Sequence, residues 1–135
     1  MSKCHIRPKR KRCARKKKKP NPLTKLVTLS RCVPIKQACD NKTPHPYFRF
    51  FPGPHISAPS GTITIVNSSK SCTMDISIVA SNDRHVTIDV APGSSYTAMI
   101  SNLISIQIVC SGQGQSETSC TGSLALDLQY VYICC

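Results

Sequence analysis

Alternation of apolar and polar residues runs through this chain from residue 60 towards the C-terminus. Ile63 and Ile65 are separated by threonine, and Leu124, Leu126 and Leu128 are separated by Ala or Asp. Because successive side chains of a strand point to opposite faces, each such run predicts a strand that is buried on one side. No segment has the periodicity of a helix. The chain is therefore expected to be all-β.

Turn signals separate the alternating runs at intervals near a dozen residues, among them Ser60-Gly61 and Pro92-Gly93. The chain contains no Trp, so burial must come mainly from Ile, Val and Leu. Many short strands with regular turns predict a small jelly roll or β-sandwich of about 7–8 strands. We assign this domain to residues 60–135.

Positive charge is concentrated in the first part of the chain, up to Arg49. Sixteen of the 18 Lys and Arg lie at or before Arg49, and with Asp40 they give this part a net charge of about +15. The later part contains Lys70, Arg84 and five acidic residues, so its net charge is about −3. Residues 1–22 are too charged and too poor in apolar side chains to pack, so they predict a disordered basic arm.

Clustered Lys and Arg bind polyanions by releasing condensed counterions, without sequence specificity. The alternative is a solvated tail that only aids solubility. The candidate polyanion-binding residues are Lys9, Arg10, Lys11, Arg12, Arg15, Lys16, Lys17, Lys18 and Lys19.

Residues 23–59 are interpreted as an N-terminal connector that contains Pro and Cys. Proline fixes φ and lacks a backbone donor, so this segment is expected to be extended or to lie at a sheet edge. Residues 23–29 predict a short strand or strap. The aromatic group at residues 47–51 is expected to cover an open end of the sandwich rather than to stack on bases.

Nine cysteines could fasten a small core, and an odd number cannot pair entirely within one monomer, so at least one thiol is free or bonds another chain. There is no CxxC pair and no spacing typical of a zinc finger, so no metal is predicted. We expect disulfides, some of them between chains. The candidate crosslinking residues are Cys4, Cys13, Cys32, Cys39, Cys110, Cys120, Cys134 and Cys135.

The alternation also orients the later cysteines. Cys134 shares the apolar face of the last strand, and Cys135 points to the opposite face, so the two are expected to have separate partners. These partners can come from the connector or the arm of the same or a neighbouring subunit. Alternatively, a disulfide between Cys110 and Cys120 closes the loop between them.

No catalytic constellation is present, and the chain is predicted not to be an enzyme. The four histidines are scattered, and a Cys110–His85 pair has no third group to orient it. Asp75, Asp83 and Asp89 are better explained as solvent-facing strand and turn residues than as calcium ligands. No cofactor is expected.

The N-terminus lacks the apolar stretch of a secretory signal, and no run approaches the length of a membrane span. We therefore expect cytosolic synthesis, later oxidation and no membrane contact.

The strand region resembles the subunits of bacterial endospore appendages. The resemblance covers residues 61–133 and rests on Gly61-Thr-Ile-Thr-Ile-Val-Asn-Ser-Ser69, Asp75-Ile-Ser-Ile-Val-Ala80, Val90-Ala-Pro-Gly-Ser-Ser95 and Leu103-Ile-Ser-Ile-Gln-Ile-Val109. Two features depart from the family pattern: the connector lacks an adjacent Cys pair, and a basic run lies between residues 9 and 19.

This resemblance implies a jelly-roll pilin that completes its sheets with those of neighbouring copies and forms disulfides through its N-terminal connector. It would assign Cys32 and Cys39, with Cys4 and Cys13, to the connector, and Cys110, Cys120, Cys134 and Cys135 as acceptors. It further implies assembly in the mother cell, a place at the spore surface as shaft, base or anchor, and contacts with other appendage or spore-coat subunits.

A second function, in a different functional class, is compatible with the same order of a basic arm followed by a β-domain. A disordered basic arm that leads into a small jelly roll is typical of small viral capsid proteins that package nucleic acid. The cysteine count and the strand motifs favour the fibre subunit.

Overall fold

The computed structural model describes residues 23–112 and 119–134, without the side chains of Leu23 and Cys134. These residues form eight β-strands in two sheets. The strands are β1 (Leu23–Ala38), β2 (His45–Arg49), β3 (Ser60–Asn67), β4 (Cys72–Ala80), β5 (Arg84–Val90), β6 (Ser95–Ile100), β7 (Leu103–Gly112) and β8 (Ser119–Cys134).

The first sheet, sheet A, has the strand order β1-β8-β3-β6. Its long strands β1 and β8 pair antiparallel over their whole length, from Leu23 opposite Cys134 to Ala38 opposite Ser119. Strand β8 also pairs with β3, which pairs with β6. The start of β1 and the end of β8 therefore lie at the same end of the molecule.

The second sheet, sheet B, has the order β2-β7-β4-β5, and all its pairs are antiparallel. Irregularities interrupt the register between Pro46 and Phe48 and between Val79 and Ala80. Two four-stranded antiparallel sheets with this interleaved order form a jelly roll. The predicted fold class is confirmed.

The core lies between the sheets and is built by the alternation seen in the sequence. In β8, Leu124, Leu126 and Leu128 are buried, and Ala125 and Asp127 between them are exposed. The other core side chains are aliphatic or sulfur-containing, with one aromatic: Ile35, Phe48, Ile63, Ile65, Cys72, Met74, Ile76, Ile78, Val90, Leu103, Ile106, Ile108, Cys110 and Cys120.

Residues 23–59, which were predicted to be a connector, contribute strands β1 and β2 to the sandwich. Strands β1 and β2 both lie at sheet edges, where a missing backbone donor is tolerated, and they contain Pro34 and Pro46 respectively. Within β2, Phe48 is buried; just after β2, the ring centroid of Phe50 lies 6.1 Å from that of Tyr130. These aromatic side chains contribute to the sandwich.

Glycine is required where neighbouring strands come closest. A Cβ atom at Gly122 in β8 would meet the carbonyl oxygen of Val66 on β3 and approach the Met74 methyl group to 2.8 Å. The absence of a side chain at Gly122 lets β8 lie against β3 while the Met74 side chain fills the core beneath.

Candidate functional site: a buried cysteine cluster

A disulfide joins the two sheets at one end of the sandwich. Cys39 follows the last residue of β1 in sheet A, and Cys72 begins β4 in sheet B. The two form a bond across a Cα–Cα distance of 6.4 Å, and Cys72 is fully buried. A single covalent link therefore connects the inner faces of both sheets.

Two further cysteines lie beside this bond and are buried thiols. Cys110 is in β7 and Cys120 is in β8; their thiols lie close enough to influence each other and are not joined in a disulfide. The sulfur atoms of Cys39, Cys72 and Cys120 lie within 4.8 Å of one another. We call Cys39, Cys72, Cys110 and Cys120 together the cysteine cluster.

The environment of Cys110 disfavours its thiolate. Burial raises the pKa of the Cys110 thiol well above its usual range, and its interaction with the Cys120 thiol raises it further. A thiol with a raised pKa is a poor nucleophile. Cys110 is therefore expected to be unreactive in this environment.

A polar chain borders the cluster on the β2 side. The Tyr47 hydroxyl donates to Oε1 of Gln37 at 2.7 Å, and Nε2 of Gln37 donates to the Ile108 carbonyl at 2.9 Å. Burial, with smaller contributions from Cys110 and Cys120, raises the pKa of Tyr47 to about 12. The phenol is thus a neutral donor that ties β1 to β2 and β7.

A buried amide holds the backbone at Cys72. Nδ2 of Asn67 donates to the Cys72 carbonyl at 2.7 Å and to the Val90 carbonyl at 2.9 Å, and its Oδ1 accepts from the Ser69 backbone N–H. On the other side, the Asn41 backbone N–H donates to the Cys110 carbonyl at 2.9 Å. These bonds position the cluster independently of its disulfide.

The structure brings only some of the predicted crosslinking residues together. Cys39, Cys110 and Cys120 meet in the cluster, whereas Cys32 lies on the exposed face of β1 and is itself in a disulfide. Cys4, Cys13, Cys135, the side chain of Cys134 and the basic residues of the arm lie outside the described residues.

Sequence reasoning missed Cys72. Its partner is 33 residues away on the other sheet, and the residues before it, Ser68 to Ser71, indicate only a turn. One signal was available: Cys72 has the same parity as Met74, Ile76 and Ile78, so the alternation already predicts that it faces the core.

A second candidate site is the open rim of the two sheets. Among the described residues, strands β5 and β6 pair on one side only, as do β1 and β2. Several apolar side chains on these edge strands are exposed, namely Leu26 on β1, Val86 on β5, and Tyr96 and Met99 on β6. Edge strands with exposed apolar residues are templates for pairing with another chain.

The sequence profile of endospore appendages matches residues 16–132, which is most of the chain. The chain belongs to the endospore appendage family. The resemblance stated from the strand motifs is thereby confirmed, and the match extends beyond them into β1 and the end of the arm. Among curated proteins, no sequence match reaches significance.

A solved structure of Bacillus endospore appendages, described as disulfide-linked pili, has the same fold. It superposes with a TM-score of 0.55 at 18% identity, over 84% of this appendage-family chain and 92% of the other. Infectious bursal disease virus, Gx strain, matches at a TM-score of 0.38 and 14% identity, over 82% of this chain and 37% of that one. A TM-score this low supports no conclusion. The capsid alternative is the weaker one because the endospore appendage profile matches residues 16–132.

Proposed function

We propose that this chain is a structural subunit that assembles with copies of itself into a disulfide-linked, pilus-like fibre at the endospore surface. The observation that carries the proposal is the family match over residues 16–132. The jelly-roll fold shared with the Bacillus appendage structure supports it. The role is structural, since the family is one of appendage subunits.

Open sheet edges supply the assembly contact in this proposal. Strands β5 and β6 lie at one rim and β1 and β2 at the other, so each sheet has one unpaired edge at each rim. When one copy meets the next rim to rim, both sheets can continue across the junction by β-augmentation. Met99 on β6 is 84% exposed and is the kind of side chain that such a contact would cover.

Disulfides make the contact durable. In the proposal, cysteines of the arm, Cys4 and Cys13, bond to a neighbouring copy. Cys110 and Cys120 are fully buried, so reaching them requires the end of the sandwich to open. We therefore favour the C-terminal pair, Cys134 and Cys135, as the acceptors, with Cys39 engaged by Cys72.

Assembly takes place inside the mother cell, and the fibre is exposed on the spore afterwards. Other appendage or spore-coat subunits are partners at its base. The basic arm, with Lys9 to Lys19, is proposed to contact an anionic layer there.

Two valines provide a matched pair for testing the edge contact. Val86 lies on the edge strand β5 and is 40% exposed, whereas Val66 lies on the inner strand β3 and is 37% exposed. A lysine on an edge strand opposes strand addition through its charge and solvation. Val86→Lys is expected to prevent fibres, and Val66→Lys is expected to leave them intact, by negative-stain microscopy of the purified full chain.

The crosslinks are tested separately on the same preparation. Non-reducing peptide mapping by mass spectrometry should find bonds between chains that involve Cys4 or Cys13, and a reductant should shorten or dissolve the fibres. A monomer that persists under oxidising conditions, or fibres formed equally by both valine variants, would contradict the proposal.

A further inference from the structure

The cysteine cluster has the composition of a thiolate metal site. Its four sulfurs come from both sheets, three of them lie within 4.8 Å of one another, and the fourth, that of Cys110, is buried beside Cys120. We propose that in the reduced chain Cys39, Cys72, Cys110 and Cys120 bind one Zn²⁺ ion. This site is independent of the fibre function proposed above.

The spacing of the sulfurs fits a tetrahedral ion. Zn–S bonds of about 2.3 Å place the sulfurs of a tetrahedral site about 3.8 Å apart. The sulfurs of Cys39, Cys72 and Cys120 already lie within 4.8 Å of one another, and the Cys110 thiol lies beside that of Cys120. In the proposed site the side chains rotate to place these four sulfurs around one ion.

The donor set selects the kind of cation. Four thiolates are soft ligands, which favour Zn²⁺ and similar ions over Mg²⁺ or Ca²⁺. Cys72, Cys110 and Cys120 are fully buried, so the site excludes water from three of its four ligands. Cys39 is only half-buried and marks the side from which an ion enters.

The backbone around the cluster is held without the disulfide. Asn67 binds the Cys72 carbonyl, and the Asn41 N–H binds the Cys110 carbonyl. Cys120 lies within the continuous pairing of β1 with β8, opposite Gln37. Reduction of the Cys39–Cys72 bond therefore leaves the four sulfurs near one another instead of releasing them.

Metal binding and the disulfide exclude each other, since a bonded sulfur is not a thiolate. A phosphine reductant converts the disulfide to two thiols: the phosphine takes up oxygen from water to become its oxide, and the two protons of that water pass to the sulfurs. Zn²⁺ then displaces four protons from the four thiols. The site belongs to the reduced chain alone.

The experiment uses the full chain, reduced with a phosphine, freed of reductant without air and titrated with Co²⁺ and then Zn²⁺. We expect one equivalent of Co²⁺ to give the visible absorption of a tetrahedral thiolate complex, and Zn²⁺ to abolish it. Cys110→Ser and Cys120→Ser should each weaken Co²⁺ binding at least tenfold. Cys32→Ser and the double variant Cys4→Ser with Cys13→Ser should bind Co²⁺ as the unaltered chain does.

A second measurement needs no variant and holds even if a substitution prevents folding. Alkylation of the reduced, unaltered chain, mapped by mass spectrometry, should show that Zn²⁺ protects the four cluster cysteines and leaves Cys32 reactive. A missing thiolate absorption, an absorption kept by both cluster variants, or no protection of Cys39 and Cys72 would each overturn the proposal.

Discussion

Asp75 and Asp89 lie directly opposite each other on the neighbouring strands β4 and β5. The two carboxyl groups are close enough to be hydrogen-bonded, and the Ser111 hydroxyl donates to Oδ2 of Asp75 at 3.3 Å. Burial raises the pKa of Asp75 above its usual value of 3.8, the hydrogen bond and charge of Asp89 raise it further, and Ser111 opposes the shift. A like-charged pair across a strand pair is destabilising when both members are ionised.

This pair predicts a specific pH dependence. Because the pKa of Asp75 is higher in the folded than in the unfolded chain, its favourable contribution is full below pH 3.8 and is lost as the pH rises through the raised value. Asp89→Asn should remove the repulsion and flatten the fall of the unfolding free energy above that pH. Urea denaturation at a series of pH values measures this change in the unfolding free energy, and Asp83→Asn in the exposed β4–β5 turn is the control. If the unfolding free energy fell with pH equally steeply in both variants, the role given to Asp89 would be contradicted.

The Cys39–Cys72 disulfide closes a segment with a sequence separation of 33 residues. Constraining a loop of this length in the unfolded chain contributes about 3–4 kcal/mol to the free energy of unfolding. Cys39→Ser should lose about that amount in oxidising buffer. When a reductant is added to both, Cys39→Ser and the unaltered chain should have nearly the same free energy of unfolding. A difference in stability that survives reduction would mean that the substitution acts through packing instead.

The Asn67 amide satisfies two buried carbonyl groups at once. Asn67→Ala leaves both without this donor, and each unsatisfied buried group costs about 1–3 kcal/mol. We expect a loss of stability in that range or above it, measured by chemical denaturation. Gln129→Ala, which removes an exposed amide from β8, should change stability by less than about 0.5 kcal/mol. Similar losses of stability in the two variants would show that the Asn67 amide does not hold the Cys72 and Val90 carbonyl groups as inferred.

Gly122 has no room for a side chain, because backbone atoms of Val66 occupy the position. Gly122→Ala must push β8 away from β3, and overpacking of this kind costs about 1–3 kcal/mol. Gly53→Ala is the matched control, since a Cβ atom at Gly53 would meet nothing within 4 Å. Thermal melts of both variants test this, and a Gly122→Ala chain as stable as the control would show that the strands separate freely.

Alternation made the inner strands predictable from the sequence. The leucines of β8 and the isoleucines of β3 are buried as their spacing indicates. Strand β1 was predicted only over residues 23–29, because an edge strand needs no strict apolar face and Pro34 weakens the pattern. On β5, Val86 remains partly exposed although it has the parity of the buried Val90, since an edge strand is covered on fewer sides.

The cysteine cluster was not predictable, because it depends on topology. Its members are separated by up to 81 residues, from Cys39 to Cys120, and come from both sheets. A zinc prediction from spacing alone relies on short CxxC intervals, which this chain lacks. Only the strand order brings the end of β1, the start of β4, the end of β7 and the start of β8 to one place.

The length of β1 separates two chemically different regions of the molecule. The cationic N-terminal segment joins the sandwich at Leu23, opposite Cys134, while Cys39 lies beyond the far end of the same strand, after roughly 50 Å of extended backbone. The arm and the C-terminal cysteines, which the proposed crosslinks join, therefore leave the same end of each subunit, and the cysteine cluster lies at the opposite end. If copies meet rim to rim in one orientation, the bonds between chains would all lie along one side of the fibre and the clusters along the other.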